Sequence, residues 1–385
     1  MGKHSLLSAS VSLRWLSCPP SARLEETMPK TSSAYADEGT AARQLAELVA
    51  NYQLGNTPQT RYEDALKRLK TGQYFTPEMF EHAAGYARLV MREATRHTSP
   101  LIALEVEGLD YSEWAPEGRG TADCVIVGDK TLVVIDFKYG KGYRVDAPGN
   151  SQMRLYALGA MTEYQDICDF DSVRMMIYQP RISGEPSVEE LTAPELLRWA
   201  NEYVRPRAAL AFADEGEFAP SEAVCKFCRA KEQCRARTEV NLKLFDESPD
   251  ALLLTAEEAG EILKKAGDVK AWLSDLERLV MTALFKGEAA PGWKLVEGRS
   301  NRRIADEPSA VELLLAAGVP ETDIYDRKMK TITTLEKALG KNRAAELLNG
   351  FVVKPQGKAT LAPITDKRPA FMPESLIIEA FEEEN

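Results

Sequence analysis

The stretch Gly120-Thr-Ala-Asp123-Cys-Val-Ile-Val-Gly128-Asp-Lys130-Thr-Leu-Val-Val-Ile-Asp136-Phe-Lys138 decides how this chain is read. Two β-branched runs, 121–127 and 131–139, flank Gly128-Asp129-Lys130, whose residue types suit a tight hairpin turn. The hairpin sets Asp123 on one strand near Asp136 on the next. Lys138 lies two residues beyond Asp136, and the alternation of a strand puts both side chains on one face. Two acids at the ends of adjacent strands suit Mg2+ or Mn2+, an ion that takes a few carboxylate oxygens and keeps several waters. Such an ion polarises a phosphate and acidifies an attacking water. The lysine then orients that water or stabilises the charge developing on the phosphate.

A D-x-K triplet alone is weak evidence, and the chain holds three: Asp136-Phe-Lys138, Asp268-Val-Lys270 and Asp326-Arg-Lys328. Only the first sits on an apolar run, Leu132-Val-Val-Ile135, with an acid on its hairpin partner. Charged residues at strand ends are ordinarily solvated, so the triplet draws its weight from the next helix. There Gln152 and Tyr156 stand four apart and face one way. An amide and an aromatic ring on that face suit a nucleic-acid backbone or an unpaired base. The plainer alternative makes Tyr156 half-buried core and Gln152 its hydrogen-bonding neighbour.

Outward from the hairpin, apolar residues recur at helical spacing over 35–52, 60–70 and 76–97, with Thr76-Pro77-Glu78 as a helix start. A strand is expected over 101–109. After Gly140-Lys141-Gly142 come a helix over 150–162, a strand over 172–179 and a helix over 194–213. This α-β-β-β-α-β-α order predicts a mixed α/β fold, a small mixed sheet flanked by helices. A long charged helix is expected over 256–285. Beyond Pro291-Gly292 an extended or hairpin element over 293–304 precedes helices over 309–317 and 333–348, then a Pro-rich acidic tail after Pro363.

With 385 residues the chain has room for two or three domains. The boundaries suggest a catalytic domain over 1–240, a helical linker over 241–290 and a C-terminal α+β accessory region over 291–385. A hydrophobic share of 44% with 28% charged residues excludes wholesale disorder, a collagen-like fibre and a disulfide-stapled miniprotein. No apolar run approaches the ~20 residues of a membrane helix, so no membrane span is expected. Lys and Arg number 48 against 59 Asp and Glu, a net charge of -11, which confines any nucleic-acid contact to a local basic channel. The Ser- and Leu-rich segment 1–18 is interrupted by Arg14 and ends in Cys18-Pro-Pro rather than a small-residue cleavage site. It reads as mature, cytoplasmic protein.

Cys225-x2-Cys228-x5-Cys234 is a tight trio flanked by Lys226, Arg229, Lys231, Arg235 and Arg237, and Cys18 is a lone fourth candidate far upstream. Thiolates in fours hold Zn2+ or an iron–sulfur cluster, and spacing alone leaves the two open. Cys124, inside an apolar strand, reads as a small buried hydrophobe.

Together these residues resemble the RecB-type branch of the PD-(D/E)XK nucleases, and most closely its iron–sulfur subgroup, which includes AddB and the CRISPR-adaptation nucleases. The resemblance implies a restriction-endonuclease-like core in which Cys18, Cys225, Cys228 and Cys234 hold a 4Fe-4S cluster that clips the two ends of the domain. It maps the nuclease motifs to Gly39-Thr40 with its helix, Asp123, Asp136-x-Lys138 and Gln152-x3-Tyr156. Arg14-Trp-Leu-Ser-Cys18-Pro-Pro, Ile135-Asp-Phe-Lys-Tyr-Gly-Lys-Gly142, Asn150-Ser-Gln-Met-Arg-Leu-Tyr-Ala-Leu-Gly159, Gly292-Trp-Lys-Leu-Val-Glu-Gly-Arg-Ser-Asn-Arg-Arg303 and Gly357-Lys-x-Thr-Leu-x-Pro resemble a phage- and prophage-encoded family. Genes of that family sit beside single-strand annealing recombinases, which implies work on DNA ends or single strands in phage recombination or replication within the bacterial host cell. One departure stands out. The first motif usually reads G-x-x-x-H-x-x-x-E, and Gly39-Thr-Ala-Ala-Arg43-Gln-Leu-Ala-Glu47 has arginine where the family has a metal-binding histidine. Arginine cannot ligate a metal. Glu47, one turn on, is the candidate replacement oxygen, and Arg43 can instead clamp a phosphate.

The expectation is a metal-dependent DNA nuclease. Asp123, Asp136, the Phe137 carbonyl and Glu47 serve the ion, Lys138 the water, and Gln152 and Tyr156 the strand. Lys294, Arg299, Arg302, Arg303 and the basic residues around the cysteines supply phosphate contacts. The alternative is a catalytically weak DNA-binding partner of a recombinase.

Overall fold

Gly128 pairs with Thr131 across a two-residue turn in which Asp129 (φ 49°) and Lys130 (φ 59°) both adopt the left-handed conformation. That is the turn geometry whose twist matches a hairpin. In the computed structural model, which describes residues 5–29, 33–246, 256–295, 306–325, 330–349 and 351–352, the chain divides into two compact units, Met1–Trp293 and Lys294–Asn385.

In the first unit the strands β1 (Leu101–Asp110), β2 (Arg119–Gly128), β3 (Thr131–Phe137), β4 (Ser172–Tyr178) and β5 (Ser187–Thr192) form one sheet in that order. All neighbours are antiparallel except β3 and β4, which run parallel. A parallel pair needs a crossover, and the chain between them carries a helix, Ser151–Tyr164. The helices of this unit are α1 (Ser12–Ser17), α2 (Ser21–Glu26), α3 (Ala34–Gln53), α4 (Gln59–Lys70), α5 (Pro77–Ala94), the crossover α6 (Ser151–Tyr164), α7 (Ala193–Trp199), α8 (Arg205–Ala213), α9 (Glu222–Cys225), α10 (Arg235–Asp246) and α11 (Ala256–Phe285).

Leu132 and Val134 face the α6 side of the sheet, while Val133 and Ile135 face α3 and α5. A strand covered on both faces needs apolar residues at every position, which is why this run does not alternate with polar ones. Thr76 Oγ1 accepts from Met79 N at 3.0 Å and Asn150 Oδ1 accepts from Gln152 N at 3.0 Å, so the expected starts of α5 and α6 are capped. β5 was absent from the sequence-based order. Its Ser187-Val-Glu-Glu-Leu-Thr192 lacks an apolar run because it is an edge strand, and charges there blunt the open edge. The helix expected over 194–213 is interrupted by a π-turn at Ala200–Val204.

The N-terminal segment is held inside the fold. Trp15 is buried in the α6-side core, and Arg207 Nη1 donates to the Leu16 carbonyl at 2.9 Å. Buried Glu25 accepts from Arg14 Nε at 2.6 Å and from the Arg229 backbone N–H at 2.6 Å, tying α1 and α2 to the loop after α9. Farther along, Arg237 Nη1 donates to buried Asp275 at 2.6 Å and Trp272 Nε1 to Thr238 at 3.4 Å, which fixes α11 against α10.

The second unit contains α12 (Glu307–Ala316), α13 (Glu321–Ile324), α14 (Ile332–Leu339) and α15 (Lys341–Leu347). The single helix expected over 333–348 is two, broken at Gly340 with φ 84°. Most of the extended element expected over 293–304, with Arg299, Arg302 and Arg303, lies outside the described residues, as do Asp326, Lys328 and the tail after Pro363. Among the described residues no helix is long and apolar enough to cross a membrane.

Removing one partner of a buried, hydrogen-bonded ion pair leaves the other charge uncompensated. Glu25→Ala should therefore cost about 3–5 kcal/mol, read by denaturant unfolding of the full chain. A loss below about 1 kcal/mol would show that the clamp is not holding the N-terminal segment.

Candidate active site

Asp123 and Asp136 come together on neighbouring strands beneath α6, 4% and 1% exposed. The sheet fixes their geometry. Asp123 Oδ2 accepts from the backbone N–H of Phe137 at 2.7 Å, so one acid is bonded to the strand that carries the other. Its Oδ1 faces Arg43 of α3, whose Nε lies at 3.0 Å. Asp136 Oδ1 takes bonds from Lys138 Nζ at 3.3 Å and Gln152 Nε2 at 3.4 Å. Asp136 Oδ2 is buried and accepts no hydrogen bond. Lys138 Nζ lies 3.1 Å from it, close enough for charge attraction but not aligned to donate.

Two buried acids in contact with one network resist ionising together. Burial, then Asp136, push the Asp123 carboxyl up to about 6, against Arg43, the Phe137 N–H and Lys138. Burial alone would pull the Lys138 ammonium down, but Asp136, Tyr156 and Asp123 outweigh it and hold the group above the ordinary lysine range. Lys138 is thus a fixed positive charge and not a proton acceptor at neutral pH. It orients by hydrogen bonding and stabilises negative charge beside Asp136.

Tyr156 is 6% exposed and its ring belongs to the core. A Cβ at position 120 would lie 2.6 Å from that ring, which accounts for glycine at the head of Gly120-Thr-Ala-Asp123. The Tyr156 hydroxyl accepts from Gln152 Nε2 at 2.9 Å, and Gln152 Oε1 accepts from Lys138 Nζ at 3.3 Å. Tyr156 thus touches Gln152 through its hydroxyl, and Gln152 reaches both Asp136 and Lys138.

Sequence reasoning missed Glu105. It sits on β1 between the pairs Leu104–Cys124 and Val106–Ala122, so it falls opposite Asp123, and its φ of 46° marks a distorted strand. Burial and then Asp123 push its carboxyl up to about 7, with Glu47 and Asp136 adding and Arg43 opposing. An acid inside the apolar run Leu101–Leu109 was the available signal. Its register opposite Asp123 was not legible. Glu47, on α3 one turn past Arg43, is half-buried and its carboxyl is raised by burial.

Among the described residues no three His, Cys, Asp or Glu side chains are gathered to hold one ion. The fit of a divalent cation rests on the donor chemistry: two carboxylates on adjacent strands, one buried oxygen without a donor, and Glu105 and Glu47 alongside. That oxygen-rich set suits Mg2+ or Mn2+.

Cys18 joins Cys225, Cys228 and Cys234 around one small cavity, where the Ala219 N–H donates to Cys18 Sγ at 3.4 Å. Burial raises the Cys18 and Cys225 thiols and pushes Cys228 up to about 11, so these three are protonated until something replaces the proton. Cys124 is buried in β2, apart from this group. Three of the flanking cations expected to meet phosphates are engaged internally: Arg229 with Glu25, Lys231 and Arg237 with Asp275. Lys226, Arg235 and Lys294 are exposed.

Because Glu105 holds a proton up to about 7 in the folded state, the native protein binds more protons than the unfolded chain from the ordinary glutamate range to that value. Stability of metal-free protein should fall as pH rises through that window. Glu105→Gln should remove that part of the slope, read as melting temperature against pH in chelator. Identical slopes in both proteins would show that Glu105 is not in the buried acid network.

Two solved structures align with this chain at low similarity. LHK-Exo in complex with dAMP matches at 14% identity and a TM-score of 0.24, covering 46% of this chain and 93% of the other. SSO0001 matches at 14% identity and a TM-score of 0.23, covering 59% and 96%. The family model described as "Protein of unknown function (DUF2800)" matches residues 4–369. With the match spanning nearly the whole sequence, the chain belongs to the DUF2800 family.

Proposed function

We propose that this protein is a metal-dependent DNA nuclease with a PD-(D/E)XK core, hydrolysing phosphodiesters at ends or in single strands. The observation that carries the reading is the buried Asp136 oxygen without a hydrogen-bond donor, beside a fixed lysine charge and a second buried aspartate. Asp123 and Asp136 would hold Mg2+ or Mn2+, with the Phe137 carbonyl, Glu47 and Glu105 as candidate further oxygens. A bound ion of this kind supplies phosphate polarisation and a more acidic water. Lys138 would orient the attacking water and meet the negative charge that develops on the phosphate oxygens. Gln152 keeps Lys138 and Asp136 in register, and Tyr156 positions Gln152.

In this reading residues 1–240 form the nuclease domain, 241–290 a helical linker and 291–385 an accessory region. The four cysteines around one cavity support a metal group there, a 4Fe-4S cluster with Zn2+ as the alternative. The setting in phage recombination or replication, beside a single-strand annealing recombinase, follows from the sequence resemblance.

Arg43 favours a second reading. Its Nε, 3.0 Å from Asp123, supplies the positive charge that an ion would otherwise bring. A chain that kept this pair would bind DNA without cutting, as a recombinase partner.

End-labelled linear single- and double-stranded DNA, incubated with Mn2+ or Mg2+, separates the two. The nuclease reading expects metal-dependent cutting that Asp136→Ala lowers by about 10²–10³-fold or more. Equal background in both proteins, with salt-sensitive DNA binding intact, favours the scaffold. Arg43→Ala, which frees Asp123, should tighten Mn2+ binding measured by calorimetry; unchanged affinity would show that the pair does not compete with the ion. Cys18→Ala should lower both the iron or zinc content and the melting temperature. Full metal content in that variant would overturn the assignment of Cys18 as the fourth ligand.

A further inference from the structure

The loop after β3 ends in a cluster that the two-aspartate site does not use. Tyr143 is 46% exposed and Phe227 is 59% exposed, although rings of this size ordinarily bury most of their surface. They lie against each other with centroids 5.7 Å apart and planes tilted by 36°. Lys226 Nζ sits over the Tyr143 ring at 4.0 Å from its centroid and 5.8 Å from that of Phe227. The two rings come from distant parts of the chain. Phe227 lies within the turn between Cys225 and Cys228, which is closed by the Cys228 N–H on the Cys225 carbonyl at 3.0 Å. Tyr143 lies five residues past Lys138.

The loop is held rigidly where it stands. Gln179 is 6% exposed, and its Nε2 donates to the carbonyls of Gly140 at 2.8 Å and Tyr143 at 2.9 Å. Its Oε1 accepts from the Val145 N–H at 3.0 Å. Gln179 directly follows β4, whose Tyr178 carbonyl accepts from the Lys138 N–H at 2.9 Å. One buried amide thus ties Tyr143 to the strand end that also bonds Lys138. Exposed rings locked beside a lysine, on a loop that also carries exposed Lys141, match an anionic chain with apolar bases. Within a duplex the bases are paired and stacked on one another, so away from its ends it offers no face to such a ring.

We propose that Phe227, Tyr143 and Lys226 form a stacking platform for an unpaired base of a DNA single strand entering the two-aspartate site, and that this platform sets a preference for single strands. The inference rests on the nuclease reading and adds the strand type to it. One side of Tyr143 is covered by Lys226, so the base stacks on Phe227 while the lysine meets a neighbouring phosphate.

The test is fluorescence anisotropy of the full-length protein in chelator, with labelled oligo(dT) and a blunt duplex as probes. Phe227→Ala and Tyr143→Ala should each weaken oligo(dT) binding about tenfold while leaving duplex binding within about twofold. Melting temperature should be unchanged, and Phe227→Trp should retain the wild-type affinity where Phe227→Leu does not. A structural role alone would move the melting temperature or both affinities together, and either result overturns the platform. Oligo(dT) affinity unchanged in both alanine variants overturns it while leaving the nuclease reading intact. A wild-type protein that binds neither probe removes the nuclease reading, and the platform with it.

Discussion

Asp123 and Asp136 are buried on adjacent strands, and no two carboxylates in such a place keep their charges without nearby cations. Much of the first unit is arranged around that constraint. α3 brings Arg43 to Asp123, β3 brings Lys138 to Asp136, and α6 brings Gln152 to both members of the second pair. The crossover that makes β3 and β4 parallel is the same helix that carries Gln152 and Tyr156, so topology and chemistry share one element. Glycine at position 120 leaves room for the Tyr156 ring of α6 to pack closely against β2.

Much of this was legible in the sequence, for identifiable reasons. The hairpin was readable because Gly128-Asp129-Lys130 separates two apolar runs, and the apolar run Leu132–Ile135 marked a strand, which the fold covers on both faces. The acids followed from the hairpin, since register alone sets Asp123 near Asp136. β5 was not readable, because an edge strand with Glu189 and Glu190 carries no apolar signature. Glu105 was hidden for a different reason. Its place opposite Asp123 depends on the register of β1 against β2, which no periodicity encodes. The partners of Arg229, Lys231 and Arg237 were equally invisible: a basic segment looks like a phosphate-binding strip until its acids, Glu25 and Asp275, fold in from far along the chain.

The cysteine cavity and the loop beside the two-aspartate site are connected through side chains other than the cysteines and the carboxylates themselves. Glu25 ties the N-terminal helices to the backbone just after Cys228, and Lys226 of the same turn lies over Tyr143 on the loop that Gln179 pins beside Lys138. Disturbing the cysteine turn would therefore be felt at the loop after β3 without any change in the carboxylates. This gives the cysteine turn a structural consequence at the loop beside Lys138.

In the proposed function the Asp136 carboxylate is a cation site formed within the fold and not an ordinary buried ion pair. Thermal unfolding of wild type and Asp136→Asn, each in chelator and in Mn2+, tests it most directly. Mn2+ should raise the melting temperature of the wild type and leave the asparagine variant unmoved. An equal rise in both proteins, or none in the wild type, would contradict it.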